Sequence, residues 1–292
     1  MNILLFGKNG QLGSEFQQTL PALGKSTCLD QDELDLCNIH ALQQALNEIR
    51  PDLIVNASAY TAVDRAETEQ ETAMKINALA PGIMAEWARK SGAVLIHYSS
   101  DYVFDGRKGL PYIESDPANP LNVYGKSKLA GEENIIQAGG AYLIFRTSWV
   151  YSMGGNGFVS KVLEWARRNE TLKIVSDQIS NPTWAHELAK ATFSLVAAHR
   201  DNLQDVMKER RGLYHLAGSG YTSRYEWARQ ILANDPNRTE QLVRSVEPVS
   251  SEEFPTPAAR PSFSALDCTK FSQIFGFSLP DWSASLRTAM TK

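Results

Sequence analysis

Apolar positions in the first half of the chain fall into two alternating periods. Near-continuous apolar runs at Ile3–Phe6, Leu53–Asn56, Val94–Tyr98 and Leu143–Arg146 predict strands covered on both faces, and a further strand is expected at Ser26–Asp30. Between these runs the pattern turns amphipathic and predicts helices over Gln11–Leu20, His40–Ile49, Thr68–Lys90 and Ser127–Gln137. The alternation predicts an α/β fold, a Rossmann-like doubly wound parallel sheet with right-handed crossovers and helices on both faces.

After Trp149 the rhythm loosens. Ser152–Gly157 predicts a flexible glycine-rich turn, followed by helices at Phe158–Asn169 and His186–Ala198 and a strand at Leu213–Leu216. Prolines at 248, 255, 257 and 261 predict an extended or irregular loop over Val246–Pro261. Short helices are expected at Thr269–Phe275 and Trp282–Met290. This second part is expected to cap the C-terminal ends of the strands, where open α/β folds bind ligands.

Composition narrows the function classes. The chain has 292 residues, room for about two domains. Its 29 basic and 33 acidic residues give a formal charge of −4, with no long basic run, which excludes nucleic acid and anionic membrane surfaces as expected partners. No apolar run approaches the ~20 residues of a membrane span, and the four-residue run at the start lacks a preceding basic segment, so a cytoplasmic protein is expected. Cys28, Cys37 and Cys268 are scattered and predict reduced thiols rather than a disulfide framework or a zinc site.

Two clusters carry chemistry. Gly7, Gly10 and Gly13 form a GxxGxxG loop between the first strand and the first helix, where a backbone without side chains can approach a pyrophosphate at a helix N-terminus. Asp30, 20 residues beyond Gly10, is placed to hold the adenosine ribose, and Asp35 and Leu36 to flank the adenine. Asp30 favours NADH and Lys8 favours the 2′-phosphate of NADPH, so either cofactor is expected. The second cluster is Tyr124 and Lys128, spaced YxxxK, which share one helix face. A neighbouring ammonium favours phenolate and makes Tyr124 a usable proton donor. The hydroxyls of Ser99-Ser100, at the end of Val94–Tyr98, can hydrogen-bond a substrate carbonyl beside it. On this division, residues 1–146 with roughly 184–217 form a dinucleotide-binding domain, and 147–183 with 218–292 a smaller substrate-binding portion.

In this order, glycine loop, strand-end hydroxyl and YxxxK resemble the extended short-chain dehydrogenase/reductase superfamily. Longer blocks resemble its dTDP-4-dehydrorhamnose reductase branch: Asn56-Ala-Ser-Ala-Tyr-Thr-Ala-Val-Asp64, His97-Tyr-Ser-Ser-Asp-Tyr-Val-Phe104, Pro120 through Glu132, Phe145-Arg-Thr-Ser-Trp-Val-Tyr151 and Pro255-Thr-Pro-Ala-Ala-Arg-Pro261. The resemblance implies hydride transfer to C4 of dTDP-4-dehydro-6-deoxy-L-mannose, giving dTDP-L-rhamnose. It implies Tyr124 as proton donor, Lys128 on the nicotinamide ribose, and Ser100, where the family usually has Thr, on the substrate oxygen. Gly10, Gln11, Leu12, Asp30, Asp35, Leu36, Ala59, Tyr60, Thr61 and Tyr98 would line the cofactor, Asp101 and Trp149 would contact the sugar, and Arg260 the diphosphate.

Some members of this family dimerise through Mg²⁺-binding acids. Glu15 occupies one such position, but His186 stands where a second is expected, with Glu187 one place late, and Ser283 replaces the third. No metal, and a monomer or weak homodimer, are therefore expected. His97 and His215 are expected as satisfied core histidines, and Trp87, Trp165, Trp227 and Trp282 as packing residues. Two rival functions remain open: another nucleotide-sugar reductase or epimerase, and a non-catalytic NADP-binding regulatory subunit.

Overall fold

A computed structural model describes residues 1–155 and 157–291; Asn156, inside the expected Ser152–Gly157 turn, lies outside the described residues. Six parallel strands make the central sheet: β1 (Asn2–Phe6), β2 (Lys25–Leu29), β3 (Leu53–Asn56), β4 (Val94–Ser100), β5 (Ala141–Thr147) and a sixth, Gly212–His215. Their spatial order is Gly212–His215, β5, β4, β3, β1, β2. The chain reverses direction across the sheet between β1 and β3, so the loops leaving those strands part there and open a crevice.

Alternation along β1 decides which face each residue feeds. Ile3 and Leu5 join Leu12 and Phe16 of helix α1 (Gln11–Thr19) and Leu188 and Leu195 of the helix Ala185–Ala198. Leu4 and Phe6 meet Leu42 and Leu46 of α2 (Ile39–Ile49), Met84 of Ala80–Ser91 and Ile135 of Val123–Ala138. A third cluster gathers Tyr151, Val159, Trp184, Trp227, Ile231 and Leu286 beside the sheet.

Several expectations change. The expected helix Thr68–Lys90 begins at Gln70 and widens into a π turn over Lys75–Leu79. Pro81 has no N–H to give Asn77, and the ladder loosens just before it. The helix expected at Ser127–Gln137 starts earlier, at Val123, because Asn122 caps it by accepting from the Gly125 N–H at 2.8 Å. The proline-rich stretch is not irregular throughout: Ser245–Val249 pairs in parallel with Thr171–Val175, and Pro248 is tolerated because a two-stranded sheet has only edge strands. Helices Leu203–Glu209 and Arg224–Ala233 were not expected; the latter carries the Ser-x-x-Glu signal, with Ser223 Oγ accepting from the Glu226 N–H at 3.1 Å. Among the tryptophans, Trp227 is buried as expected, whereas Trp165 is exposed.

Candidate active site

The crevice beside β1 and β3 is a cleft of about 890 Å³ that runs from the glycine loop to the ends of β4 and β5. Its floor at the loop is Gly7, Gly10, Gln11 and Leu12. Gly13 sits behind them: a Cβ there would stand 1.8 Å from the Gly7 carbonyl oxygen, so only glycine lets α1 approach the loop this closely. Asp30 lies on the same wall, its carboxylate accepting from the backbone N–H groups of Asn9 and Gln31, both at 2.8 Å. A side pocket of about 100 Å³ holds Asp30, Asp35, Leu36 and Ala59 together. The spacing, glycine backbone and helix N-terminus suit a dinucleotide, with the side pocket sized for the edge of its base. Lys8 is paired with Glu33, an exposed contact.

Thr61 and Tyr98 also line the cleft, whereas Tyr60 does not: its phenol donates to Glu69 Oε2 at 2.6 Å. Tyr60 instead helps fix the loop after β3. Asn77, inside the π turn and 1 % exposed, accepts from the Tyr60 N–H (2.8 Å), donates to the Tyr60 carbonyl (3.1 Å) and donates to Ser127 Oγ (2.9 Å). One buried amide thus ties that loop to the helix bearing Tyr124 and Lys128.

At the far end the reactive groups converge. Ser100, Asp101, Tyr124 and Lys128 all line the cleft. Tyr124 stands edge-on to Tyr102 at 5.6 Å. Burial pushes its phenol up, and the neighbouring Ser100 hydroxyl opposes that rise. Lys128 does not lie against the phenol. Its Nζ donates to the Tyr98 carbonyl at 2.6 Å and meets His97 Nε2 at 3.3 Å, and burial pulls its pKa down to about 8, partly offset by Glu132. Ser100 accepts from the Tyr102 N–H and donates to Asp101 Oδ1, both at 3.1 Å. Asp101 is 2 % exposed; Ser180 and Ser264 also donate to it, and burial lifts its carboxyl to about 6.

Trp149 also lines the cleft, with a left-handed backbone (φ 39°) and its ring stacked on Trp227 at 5.4 Å. Arg260 is not on the cleft wall. It forms a two-pronged pair with Asp64 (2.8 and 2.7 Å) and bonds Thr256 and the Ala258 carbonyl. Sequence reasoning missed Arg224, whose guanidinium lies 4.4 Å over the Trp149 ring and 5.1 Å over Phe158, donates to Gln178 Oε1 at 3.2 Å, and feels the Asp101 carboxylate. It missed Ser180 and Ser264 as well, since nothing local in either segment announces a shared carboxylate.

The family model described as RmlD substrate binding domain matches residues 1–292. The chain belongs to this family. Similar members include the dTDP-4-dehydrorhamnose reductases of Escherichia coli K12, 41 % identical over 100 % of this chain and 98 % of that one, and of Burkholderia thailandensis, 40 % identical over 97 % and 95 %. Among solved structures, the Clostridium acetobutylicum dTDP-4-dehydrorhamnose reductase superposes with a TM-score of 0.90 at 34 % identity, covering 100 % of this chain and 99 % of its own. The Bacillus anthracis dTDP-4-dehydrorhamnose reductase, solved in complex with NADP, gives 0.88 at 34 % identity over 99 % and 98 %. A Thermus thermophilus UDP-glucose 4-epimerase, 17 % identical with a TM-score of 0.79 over 100 % and 98 %, shares the fold. The cleft of this family member therefore sits on the Rossmann-like sheet expected from its sequence. Glu15 and His186 pair with each other (2.9 Å), and no group of three metal-binding side chains occurs among the described residues.

Proposed function

We propose that this chain is an NAD(P)H-dependent reductase of the 4-keto group of dTDP-4-dehydro-6-deoxy-L-mannose, producing dTDP-L-rhamnose. The observation that carries the reading is the meeting of Ser100, Tyr124 and Lys128 at the end of a cleft that begins at the glycine loop. A regulatory subunit would have no use for that trio. When bound in the cleft, the reduced nicotinamide supplies hydride to C4. Tyr124 delivers its proton to the alkoxide oxygen, and Ser100 Oγ turns from Asp101 to donate to the same oxygen as charge develops there. Lys128 as the ammonium lowers the phenol's pKa and holds the ribose hydroxyls. Asp101 and Trp149 take the sugar, and Arg260 the diphosphate. The cofactor is NADPH or NADH, with Asp30 beside the ribose.

Division of the chain into a cofactor half and a substrate half is supported by the third cluster, built from residues 151–184, 227–232 and 286–290. The Glu15–His186 pair supports a monomer or weak homodimer without a metal bridge; unchanged light scattering in the presence of EDTA is the expected result.

The test is direct. The purified protein should oxidise NADPH, NADH or both when given the 4-keto sugar nucleotide. Tyr124→Phe should lower kcat by roughly 10²–10⁴-fold while leaving cofactor affinity nearly unchanged. Near-normal turnover by that variant removes Tyr124 from the mechanism.

A further inference from the structure

His97 is wholly buried in β4, and its two ring nitrogens face different partners. Asn56 Nδ2 lies 3.0 Å from Nδ1, and Lys128 Nζ lies 3.3 Å from Nε2. The Asn56 amide cannot be turned round. Its Oδ1 receives the Ser58 backbone N–H at 3.2 Å, a group that only donates, and Ser58 Oγ at 2.6 Å. Nδ2 therefore donates to His97, and Nδ1 accepts. A neutral imidazole that accepts at Nδ1 carries its single proton on Nε2.

That Nε2–H points at Lys128. An ammonium has three donors and no acceptor, so the charged lysine would meet it proton against proton. Lys128 as a neutral amine accepts the Nε2–H while still donating to the Tyr98 carbonyl. The alternative tautomer frees Nε2 but turns an N–H onto the Asn56 amide, leaving a buried donor unmatched. Imidazolium would place donors on both sides, and burial already holds His97 well below its ordinary pKa. Of the other groups around Lys128, Glu132 favours the ammonium but is itself gripped by Arg146 through two bonds (2.9 and 2.6 Å). Tyr124, one turn before Lys128 on the same helix, is neutral.

We propose that His97, oriented by Asn56, is a positioning residue that biases Lys128 toward the neutral amine in the cofactor-free protein, so that a bound cofactor, by offering hydroxyl acceptors, strengthens the lysine's hold on its proton. The charge that activates Tyr124 is then coupled to occupancy of the cleft. This rests on the role of Lys128 in the reduction proposed above, but its test does not use the keto sugar. A failed substrate assignment therefore leaves it standing.

The experiment follows the Lys128 side chain by NMR in protein carrying ¹³Cε-lysine, assigned by comparison with Lys128→Met, across a pH titration with and without saturating NADPH. Binding should raise the Lys128 midpoint by at least about one pH unit. In His97→Gln, an amide oxygen can accept from the ammonium. The midpoint without cofactor should therefore rise by a similar amount, and the difference between free and bound protein should shrink. An unchanged midpoint on NADPH binding overturns the proposal, whether or not the variant folds. So does a folded His97→Gln protein that titrates like the parent.

Discussion

Asp101 accepts hydrogen bonds from three serines, and burial still raises its carboxyl to about 6. An unfolded aspartate titrates near ~3.9, so between about pH 4 and 6 the folded protein binds the extra proton. Stability then falls as pH rises through that window, and above it the full cost of the buried charge is present. Asp101→Asn should accordingly stabilise the ligand-free protein near neutral pH, by on the order of 2 kcal/mol, and by much less near pH 4. The same change should weaken nucleotide-sugar binding. Urea unfolding at the two pH values checks the first part, and an equal gain at both would show that the charge is not what costs stability. At this scale the reactive groups were legible because each lies in a short motif: Tyr124 and Lys128 four apart, Ser100 beside Asp101. Ser180, Ser264 and Arg224 were not, because they reach the same spot from segments 79 to 163 residues away in the chain.

Elements repeat this division between local and distant causes. The central-sheet strands were legible to within two residues, Leu53–Asn56 matching at both ends, because burial on two faces leaves a continuous apolar run. The short strands outside that sheet, such as Thr171–Val175, were not. The start of the catalytic helix was not, since Asn122 had to be recognised as a cap rather than as loop. That cap makes Gly125 critical. A Cβ at Gly125 would stand 2.2 Å from the Tyr102 carbonyl oxygen and 2.9 Å from Pro120 Cβ. Elsewhere in a helix, alanine for glycine gains about 1 kcal/mol. Here Gly125→Ala must push the first helical turn, with Tyr124 on it, away from the Ser100–Tyr102 segment. The expected outcome is lower thermal stability and a fall in kcat of more than about tenfold, with a smaller change in NADPH affinity, because near-attack geometry is lost first. Calorimetry and steady-state kinetics on the variant check it, and a protein more stable and equally active would refute the close approach.

On the scale of the whole molecule, contacts between distant segments tie the two sides of the cleft at both of its ends. Gln11 donates to the Val150 carbonyl (3.1 Å) and accepts from the Ser152 N–H (3.0 Å), joining the glycine loop to the chain beyond β5. Across the far end, the Arg260–Asp64 pair holds the proline-rich loop to the segment after β3, and Asn122 Nδ2 donates to the Ala259 carbonyl at 2.7 Å. Sequence patterns reveal none of these ties, because each joins residues more than 130 positions apart. Arg260 has two separable roles to test: clasp for the loop, and hold on the diphosphate. The Asp64 and Arg260 side chains keep 40 % and 20 % of their exposure, so the pair itself is worth about 1 kcal/mol or less. A direct guanidinium contact with a diphosphate is worth more, roughly 1.5–3 kcal/mol, or at least about a tenfold change in KM. Asp64→Ala removes the clasp and leaves the guanidinium, whereas Arg260→Ala removes both. With the proposed diphosphate contact, Arg260→Ala raises KM for the sugar nucleotide tenfold or more with a smaller change in kcat, and weakens dTDP far more than thymidine. Asp64→Ala should then change both ligands only slightly. Equal losses in the two variants would make Arg260 a clasp alone and leave the diphosphate to another group, with Arg224, stacked on Trp149, the next side chain to replace.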